Sequence, residues 1–281
     1  MSSHEIKSYA KINLALNVTG KFKKLHKIES IISFIDLYDL IFIKKIKSPN
    51  HKISFIGEFS KNISKINTVS KLLYILDKNK LLKEKKFQIV IKKNIPQKAG
   101  LGGGSMNSVN ILNFFEKKNI IKITHKKKIE ISKLIGSDVA LGLSPLNSIL
   151  KSSGSIKRFS NCPKFNILLV KPGFGCSTKK IYSKVKRFTK PKYNTPKKFM
   201  FSEKYLMTQE NDLEKIVYSS YPKLKKIKNF LLKTKNLSFV RMTGSGSVIV
   251  AYYRSEQVCE KAKVEFKRKF KNYWCDTAKT I

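Results

Sequence analysis

The stretch that decides the fold runs from residue 95 to residue 108 and reads I-P-Q-K-A-G-L-G-G-G-S-M-N-S. Four glycines stand at positions 100 and 102–104, whereas the whole chain has only 13. The run follows a strand-like segment, residues 87–91, and precedes a segment with a helical apolar period, residues 109–115. A glycine turn that opens a helix directs unpaired N–H groups and the positive end of the helix dipole at one point. The sequence therefore predicts a phosphate-binding loop.

Two common glycine motifs do not describe this loop. No lysine follows the glycines, as G-x-x-x-x-G-K-[ST] requires, and the spacing differs from that of G-x-G-x-x-G. A tight turn with a glycine hinge is the alternative interpretation. Four glycines followed by serine and asparagine exceed what a turn requires, so we favour phosphate binding.

The charge of the chain is the second unusual feature. The 281 residues carry a formal net charge of +41, from 59 Lys and Arg against 18 Asp and Glu. Such a charge is compatible with nucleic acid or an anionic surface. Only five of the basic residues are arginine, however, and nucleic-acid interfaces favour the bidentate guanidinium of arginine. Lysine beside abundant isoleucine and asparagine indicates an AT-rich genome, and a basic RNA- or ribosome-associated protein remains the alternative.

Other sequence features bound the class of protein. No apolar run approaches the ~18 residues of a membrane span, and the first 12 residues lack a hydrophobic signal core. The four cysteines lie far apart, without metal-binding spacing. We therefore expect a cytoplasmic protein with reduced thiols and no membrane partner.

The predicted elements mix without strict strand–helix alternation, which indicates an α+β architecture in two domains. We place the phosphate-loop domain at residues 1–152 and the second domain at residues 153–281. Residues 28–34 and 40–46 are predicted as a hairpin around the D-L-Y-D of residues 36–39. Further strands are predicted at residues 8–18, 147–150, 165–170 and 248–252, and helices at residues 67–82, 126–135, 178–188, 210–217, 221–232 and 256–270.

Three shorter motifs accompany the glycine loop. They are A-K-I-N-L at residues 10–14, G-S-D-V at residues 136–139 and T-G-S-G at residues 243–246. Each is weak alone: a strand lysine is usually solvated, an aspartate after a helix usually caps or turns, and T-G-S-G suits a plain turn. Their significance lies in their combination and order.

In that order, the four motifs resemble the signature regions of the GHMP small-molecule kinases, and the similarity runs from residue 9 to about residue 253. The resemblance implies a ribosomal-protein-like N-terminal α/β domain and a ferredoxin-like C-terminal α+β domain, with the active site in the cleft between them. It also implies ATP as phosphoryl donor, and Mg²⁺ held mainly by the ATP phosphates. The expected partner is a small-molecule substrate, with no specific nucleic acid, and the chain is expected to be a monomer or weak homodimer.

Within the family, the stretch A-K-I-N-L-A-L-N-V-T-G-K at residues 10–21 and the following His26 are similar to kinases that phosphorylate the 2-hydroxyl of 4-diphosphocytidyl-2-C-methyl-D-erythritol, in the non-mevalonate route to isoprenoids. A homoserine or mevalonate kinase is the alternative within the family. One departure concerns base recognition, because Leu25 stands where the family has an aromatic residue that stacks on the cytosine.

The resemblance also implies roles for individual residues. Asp138 would be the general base, and Lys11 would lie close to it and to the reacting hydroxyl. ATP binding falls on Asn67, Lys93, Pro96, Ala99, Gly100, Leu101, Gly102, Gly103, Gly104, Ser105 and Asn107. Substrate binding falls on Asn13, Leu25, His26, Thr178, Tyr182, Thr243, Gly244 and Ser245. No protein ligand of the metal ion is predicted.

Overall fold

A computed structural model describes residues 3–23 and 25–281 of the chain. The strands are β1 His4–Phe22, β2 Leu25–Ile46, β3 Lys52–Ile56, β4 Lys86–Lys92, β5 Asn147–Leu150, β6 Ile156–Phe159, β7 Asn166–Lys171, β8 Leu237–Met242, β9 Ile249–Tyr253 and β10 Trp274–Lys279. The helices are α1 Thr68–Lys78, α2 Gly103–Lys117, α3 His125–Ile135, α4 Thr178–Tyr182, α5 Glu203–Met207, α6 Leu213–Ser220, α7 Pro222–Leu231 and α8 Glu256–Lys269, with 3-10 turns at Val139–Leu143 and Lys198–Phe201. None of the helices in these described ranges is long and apolar enough to cross a membrane.

The chain forms two compact units that are not contiguous in sequence. The loop unit contains the segment that ends at Ala10, together with Leu37–Pro96 and Gly102–Pro145. The C-terminal unit contains Lys11–Asp36, Gln97–Leu101 and Leu146–Ile281. The boundary after residue 152 was predicted for contiguous domains, and it stays a prediction.

The loop unit is built on the second half of β2. That half pairs antiparallel with β4, which pairs in parallel with β3. Ile41 and Ile43 of β2 and Ile89 and Ile91 of β4 are buried at every second position, which is the pattern of a sheet face that packs on a core. Helix α2 packs against α1 and against the 3-10 turn Val139–Leu143.

The C-terminal unit contains a four-stranded antiparallel sheet in the order β10-β7-β9-β8. Along the chain, α6 and α7 lie between β7 and β8, and α8 lies between β9 and β10. This is the split β-α-β-β-α-β arrangement of ferredoxin-like folds, so the predicted architecture of this region is confirmed. Its core joins sheet residues such as Leu168 and Ile249 to helix residues such as Ile227 and Phe266.

Two element predictions are wrong, and several strands were missed. The predicted hairpin is one continuous strand, β2, because Asp39 is fully buried with its carboxylate hydrogen-bonded and so does not force a turn. The helix predicted at residues 178–188 ends at Tyr182. Strands β3, β6 and β10 were not predicted, since they are short or largely polar and are stabilised by pairing with β4, β5 and β7.

Candidate active site

The glycine loop opens α2 in the loop unit, as predicted. Gly102 is the N-cap residue and has a left-handed backbone, with φ of 70°. The N–H of Met106 makes the first intrahelical hydrogen bond, to the Gly102 carbonyl, and no side chain of the described residues caps the helix. The N–H groups ahead of Met106 have no partner within the helix and can therefore bind an anion.

The loop approaches its neighbours closely. Thr68 Oγ1 donates a hydrogen bond of 2.6 Å to the Gly104 carbonyl and so ties the start of α1 to the loop. A Cβ atom on Gly103 would lie 3.1 Å from Ile95 Cγ2 and 3.2 Å from Lys93 Nζ. A side chain at position 103 would therefore press against the buried ammonium group behind the loop.

Asp39 organises the chain that leads into the loop, and the sequence analysis missed it. Its fully buried carboxylate forms an ion pair with the Lys93 ammonium. It also accepts hydrogen bonds of 2.8 Å from the backbone N–H groups of Asn94 and Ile95, and one of 2.9 Å from Asn107 Nδ2. Lys93 and Asn107, both predicted as ATP-binding residues, are thereby joined through one carboxylate. Because D-L-Y-D was interpreted as the turn of a hairpin, the role of Asp39 was not predicted.

Asn67, another predicted ATP-binding residue, is the N-cap of α1. Its Oδ1 accepts hydrogen bonds of 3.0 and 3.1 Å from the backbone N–H groups of Val69 and Ser70, and Ser70 Oγ completes a capping box. The cap fixes the first turn of α1, where Thr68 holds Gly104. The structure thus gives the Asn67 side chain a helix-capping role beside the loop.

Asp138 also belongs to the loop unit. It precedes the 3-10 turn Val139–Leu143, and its side chain is partly exposed. The adjacent Gly136 lies beside the first turn of α2, because a Cβ atom there would be 4.0 Å from Ser105 Oγ. The structure therefore brings the G-S-D-V motif to the glycine loop within this unit.

The C-terminal unit brings three of the four motifs together at Asn13. Lys11 Nζ donates a hydrogen bond of 2.7 Å to Asn13 Oδ1, and both side chains are buried. The N–H of Asn13 donates to Thr243 Oγ1 at 3.0 Å, and that hydroxyl donates to the Gly100 carbonyl at 3.1 Å. The backbone of Lys11 bonds to the Leu101 carbonyl as well, at 3.0 Å.

Gly100 is required by this close approach. It has a φ of 78°, and a Cβ atom would lie 2.1 Å from the carbonyl oxygen of Thr243. The Ala99 carbonyl beside it accepts a hydrogen bond of 3.2 Å from the N–H of Val248. The first residues of the glycine loop and the T-G-S-G turn thus form one backbone assembly.

The T-G-S-G turn has further support within the C-terminal unit. Asn211 Nδ2 donates hydrogen bonds of 2.8 Å to the carbonyls of Met242 and Gly244. Ser245 Oγ lies 2.8 Å from Thr178 Oγ1, so two predicted substrate-binding side chains share a hydrogen bond. Asn211 carries no motif signal in the sequence and was missed.

The residues predicted to recognise a base meet at one surface of the same unit. The rings of His26 and Tyr182 lie 5.1 Å apart between centroids, at an interplanar angle of 40°. Partial burial, with the charge of Lys21 as a smaller cause, lowers the pKa of His26 below its usual 6.5. The imidazole is therefore neutral at pH 7 and can both donate and accept a hydrogen bond. Leu25, its neighbour, is 76% exposed.

No cluster of three or more His, Cys, Asp or Glu side chains that could hold a metal ion occurs among residues 3–23 and 25–281.

Comparison with known proteins identifies the family. The model of the GHMP kinases N terminal domain matches residues 67–145, and the model of the GHMP kinases C terminal domain matches residues 197–272. A 4-diphosphocytidyl-2-C-methyl-D-erythritol kinase of Pelagibacter ubique is 60% identical over 281 residues, which is 100% of both chains. A kinase of the same name from Petrotoga mobilis is 32% identical and covers 87% of this chain and 96% of its own.

Solved structures share the fold. A 4-(cytidine 5'-diphospho)-2C-methyl-D-erythritol kinase matches with a TM-score of 0.78 at 20% identity, over 98% of this chain and 99% of the other. A homoserine kinase from Cytophaga hutchinsonii matches with a TM-score of 0.73 at 14% identity, over 100% of this chain and 95% of the other. The four motifs, the two matched domains and the full-length relative agree, and this chain belongs to the GHMP kinase family.

Proposed function

We propose that this protein is an ATP-dependent kinase that phosphorylates the 2-hydroxyl of 4-diphosphocytidyl-2-C-methyl-D-erythritol. A relative with that name is 60% identical to the chain over its whole length. The observation that carries the proposal is the assembly in which Lys11, Asn13 and Thr243 meet the start of the glycine loop at Gly100. A homoserine or mevalonate kinase is the alternative, because structures of both kinds share the fold.

ATP phosphates fit the glycine loop. The uncapped start of α2 offers N–H groups and the positive end of the helix dipole. The loop leaves no space for side chains at Gly100 and little at Gly103, so its backbone can approach a phosphate closely. In the proposed complex, Gly102, Gly103, Gly104 and Ser105 hold the phosphates, while Pro96, Ala99 and Leu101 shape the loop.

Asp138 is proposed as the general base that accepts the proton of the substrate hydroxyl. Its place after α3, in a turn that lies beside the start of α2, supports the role. Lys11 is proposed to stabilise the negative charge that develops on the reacting oxygen, and Asn13 fixes the lysine through their 2.7 Å hydrogen bond. Positioning and charge stabilisation are the main requirements of phosphoryl transfer.

Magnesium is proposed to bind chiefly to the ATP phosphates. When bound, it supplies charge neutralisation at the β- and γ-phosphate oxygens. Asn107 and Thr68 lie at the two helices nearest the loop. Asn107 Nδ2 bonds to Asp39 and Thr68 Oγ1 to Gly104, whereas Asn107 Oδ1 is buried without a hydrogen-bond partner among the described residues.

Recognition of the cytidyl group is proposed for His26 and Tyr182. A neutral imidazole can bond to the edge of cytosine, which carries both a donor and acceptors, and the tyrosine ring can cover one face of the base. Thr178, Ser245 and the backbone of Gly244 are proposed to bind the diphosphate part of the substrate.

The cationic surface would attract RNA only weakly and in a salt-sensitive way. The protein is proposed to be cytoplasmic and to be a monomer or weak homodimer.

A coupled kinase assay tests the function. The protein should phosphorylate the cytidyl substrate and leave homoserine and mevalonate unchanged. Asp138→Asn should lower kcat by ~100-fold or more while ATP binding persists, because a positioned base contributes in this range. The matched control is Asp36→Asn, an exposed aspartate whose replacement should leave kcat unchanged. Turnover of homoserine or mevalonate in place of the cytidyl substrate would reject the proposed substrate, and a fully active Asp138→Asn variant would reject the base.

A further inference from the structure

The base-recognition surface lacks the aromatic residue expected at position 25. Leu25 stands there, and its side chain is 76% exposed. Tyr182 alone would cover one face of a bound base, and an exposed aliphatic side chain gives little stacking on the other. Stacking on an aromatic ring contributes substantially to the binding of a base. A second ring near His26 would therefore change what this site can recognise.

Phe188 provides such a ring. Its centroid lies 6.4 Å from that of His26, at an interplanar angle of 52°, so Phe188 and Tyr182 both adjoin the imidazole. The ring is 48% exposed, although the chain buries most of its large apolar side chains.

The backbone around Phe188 is fixed. The N–H of Thr189 donates a hydrogen bond of 2.9 Å to the Val18 carbonyl, and Thr189 Oγ1 donates one of 2.8 Å to Asp212 Oδ2. Four residues further on, the N–H of Tyr193 donates to the buried Glu29 at 3.0 Å. An exposed aromatic ring on an anchored backbone is the arrangement of a preorganised binding residue.

We propose that Phe188 is a specificity-determining residue that stacks on the cytosine of the substrate, in the role left vacant by Leu25. This inference rests on the proposed function, because it requires a substrate with a base. Phe188 and Tyr182 would supply the aromatic surfaces and His26 the polar contact to the base edge. In this proposal, the aromatic ring that stacks on the base comes from the segment that follows α4 and not from position 25.

Phe22 is the rival aromatic residue. It is 61% exposed and lies on the hairpin next to Leu25. Its ring, however, is flanked by the ammonium groups of Lys23 and Lys27, at 5.7 and 5.9 Å from the centroid. A ring engaged by two cations is a poorer surface for a neutral base, so we assign the stacking role to Phe188.

Kinetics of single variants test the proposal. Phe188→Ala should raise KM for the cytidyl substrate by about tenfold, leave KM for ATP unchanged, and weaken CDP binding in calorimetry by a similar factor. Phe188→Tyr should behave as wild type. The matched control is Phe199→Ala, since Phe199 is 55% exposed in the same unit and packs edge-on against Tyr205 rather than near His26.

A second variant separates stacking from a structural role. Leu25→Tyr in the Phe188→Ala background should restore most of the lost affinity, because it returns an aromatic ring to the same base. If the wild type binds CDP and turns over the cytidyl substrate but Phe188→Ala changes neither, the inference about Phe188 is wrong. A KM increase for the cytidyl substrate that appears in Phe22→Ala but not in Phe188→Ala would also reject it. A wild type that neither binds CDP nor phosphorylates the cytidyl substrate would instead overturn the proposed function.

Discussion

Asp39 and Glu29 both lie on β2, both are fully buried, and they are held in opposite ways. Asp39, in the loop unit, is paired with the Lys93 ammonium. Glu29, in the C-terminal unit, accepts hydrogen bonds of 2.8 Å from Asn17 Nδ2, 2.7 Å from the N–H of Lys192 and 3.0 Å from the N–H of Tyr193. Asp39 thus has a counter-charge in addition to three N–H hydrogen bonds, whereas the hydrogen bonds named for Glu29 all come from uncharged N–H groups.

The difference corresponds to what each carboxylate positions. The Asp39 ion pair sets the lysine beside Gly103, where the loop is proposed to meet an anion. The Glu29 hydrogen bonds anchor the irregular segment that carries Phe188, where a neutral base is proposed to bind. Removing one partner of an ion pair leaves a buried charge behind, whereas the loss of one of several hydrogen bonds to a carboxylate leaves the others in place.

The largest effect is expected at the ion pair. Asp39→Asn leaves the buried Lys93 ammonium without a counter-charge, so the free energy of unfolding should fall by ~3–5 kcal/mol in urea titrations. KM for ATP should rise at temperatures where the variant is folded. The control is Asp36→Asn, three residues earlier on β2 and exposed, whose loss should stay below ~1 kcal/mol.

A double variant sharpens this result. Asp39→Asn combined with Lys93→Met removes the stranded charge and should recover part of the lost stability. If the double variant is less stable than Asp39→Asn alone, the unpaired ammonium is not the cause of the loss.

A smaller effect is expected at Glu29. In Glu29→Gln, the new amide N–H₂ faces at least one donor that the carboxylate accepted from, so the free energy of unfolding should fall by ~1–3 kcal/mol. KM for the cytidyl substrate should rise while KM for ATP stays constant, because the anchored segment carries Phe188. A loss as large as that of Asp39→Asn would show that the two carboxylates are equivalent, contrary to the comparison.

Tyr193 tests the hydroxyl group beside the Glu29 network. Its buried hydroxyl donates a hydrogen bond of 2.9 Å to Gln209 Oε1 and also has a side-chain hydrogen bond with Asn17, so Tyr193→Phe should cost ~1–2 kcal/mol in thermal or urea unfolding. The matched control is Tyr252→Phe, also fully buried, whose hydroxyl has no hydrogen-bond partner within residues 3–23 and 25–281. That change should be neutral or stabilising. Equal losses in both variants would mean that packing, rather than the hydrogen bond, sets the cost.

The smallest effect is expected from pH. Burial, and to a smaller extent the charge of Lys21, lower the pKa of His26 below its usual 6.5, so protonating this imidazole requires a more acidic solution than protonating an ordinary histidine. KM for the cytidyl substrate should be constant between pH 7 and 8 and rise in the acid range. Lys21→Met removes one cause of the lowered pKa, so the rise should begin at a higher pH. If His26→Gln shows the same dependence of KM on pH as the wild type, His26 is not the group responsible.

Much of the site could be predicted because its signals are local. Glycines followed by an apolar period predicted a helix that begins at the loop, and α2 begins at Gly103. The helix predicted from residue 67 begins at Thr68, with Asn67 as its N-cap. Four short motifs in a fixed order were sufficient to identify the family, which the matched domains confirm.

Residues whose roles depend on distant partners could not be predicted. Asp39 reads as a turn residue until β4 supplies the donors that satisfy its carboxylate. Asn211 and Glu29 carry no motif at all, and each acts on backbone groups more than 30 residues away. No period or propensity encodes such a pairing.

The sequence by itself determined the family, the glycine loop that opens α2 and most helices, because turn chemistry, capping and apolar period act over a few residues. The tertiary structure decided that β2 is one strand, that Gly100 and Thr243 share a backbone contact, and that a phenylalanine after α4 adjoins His26. These features arise from contacts between segments far apart in the chain, where burial and hydrogen-bond partners outweigh local preference.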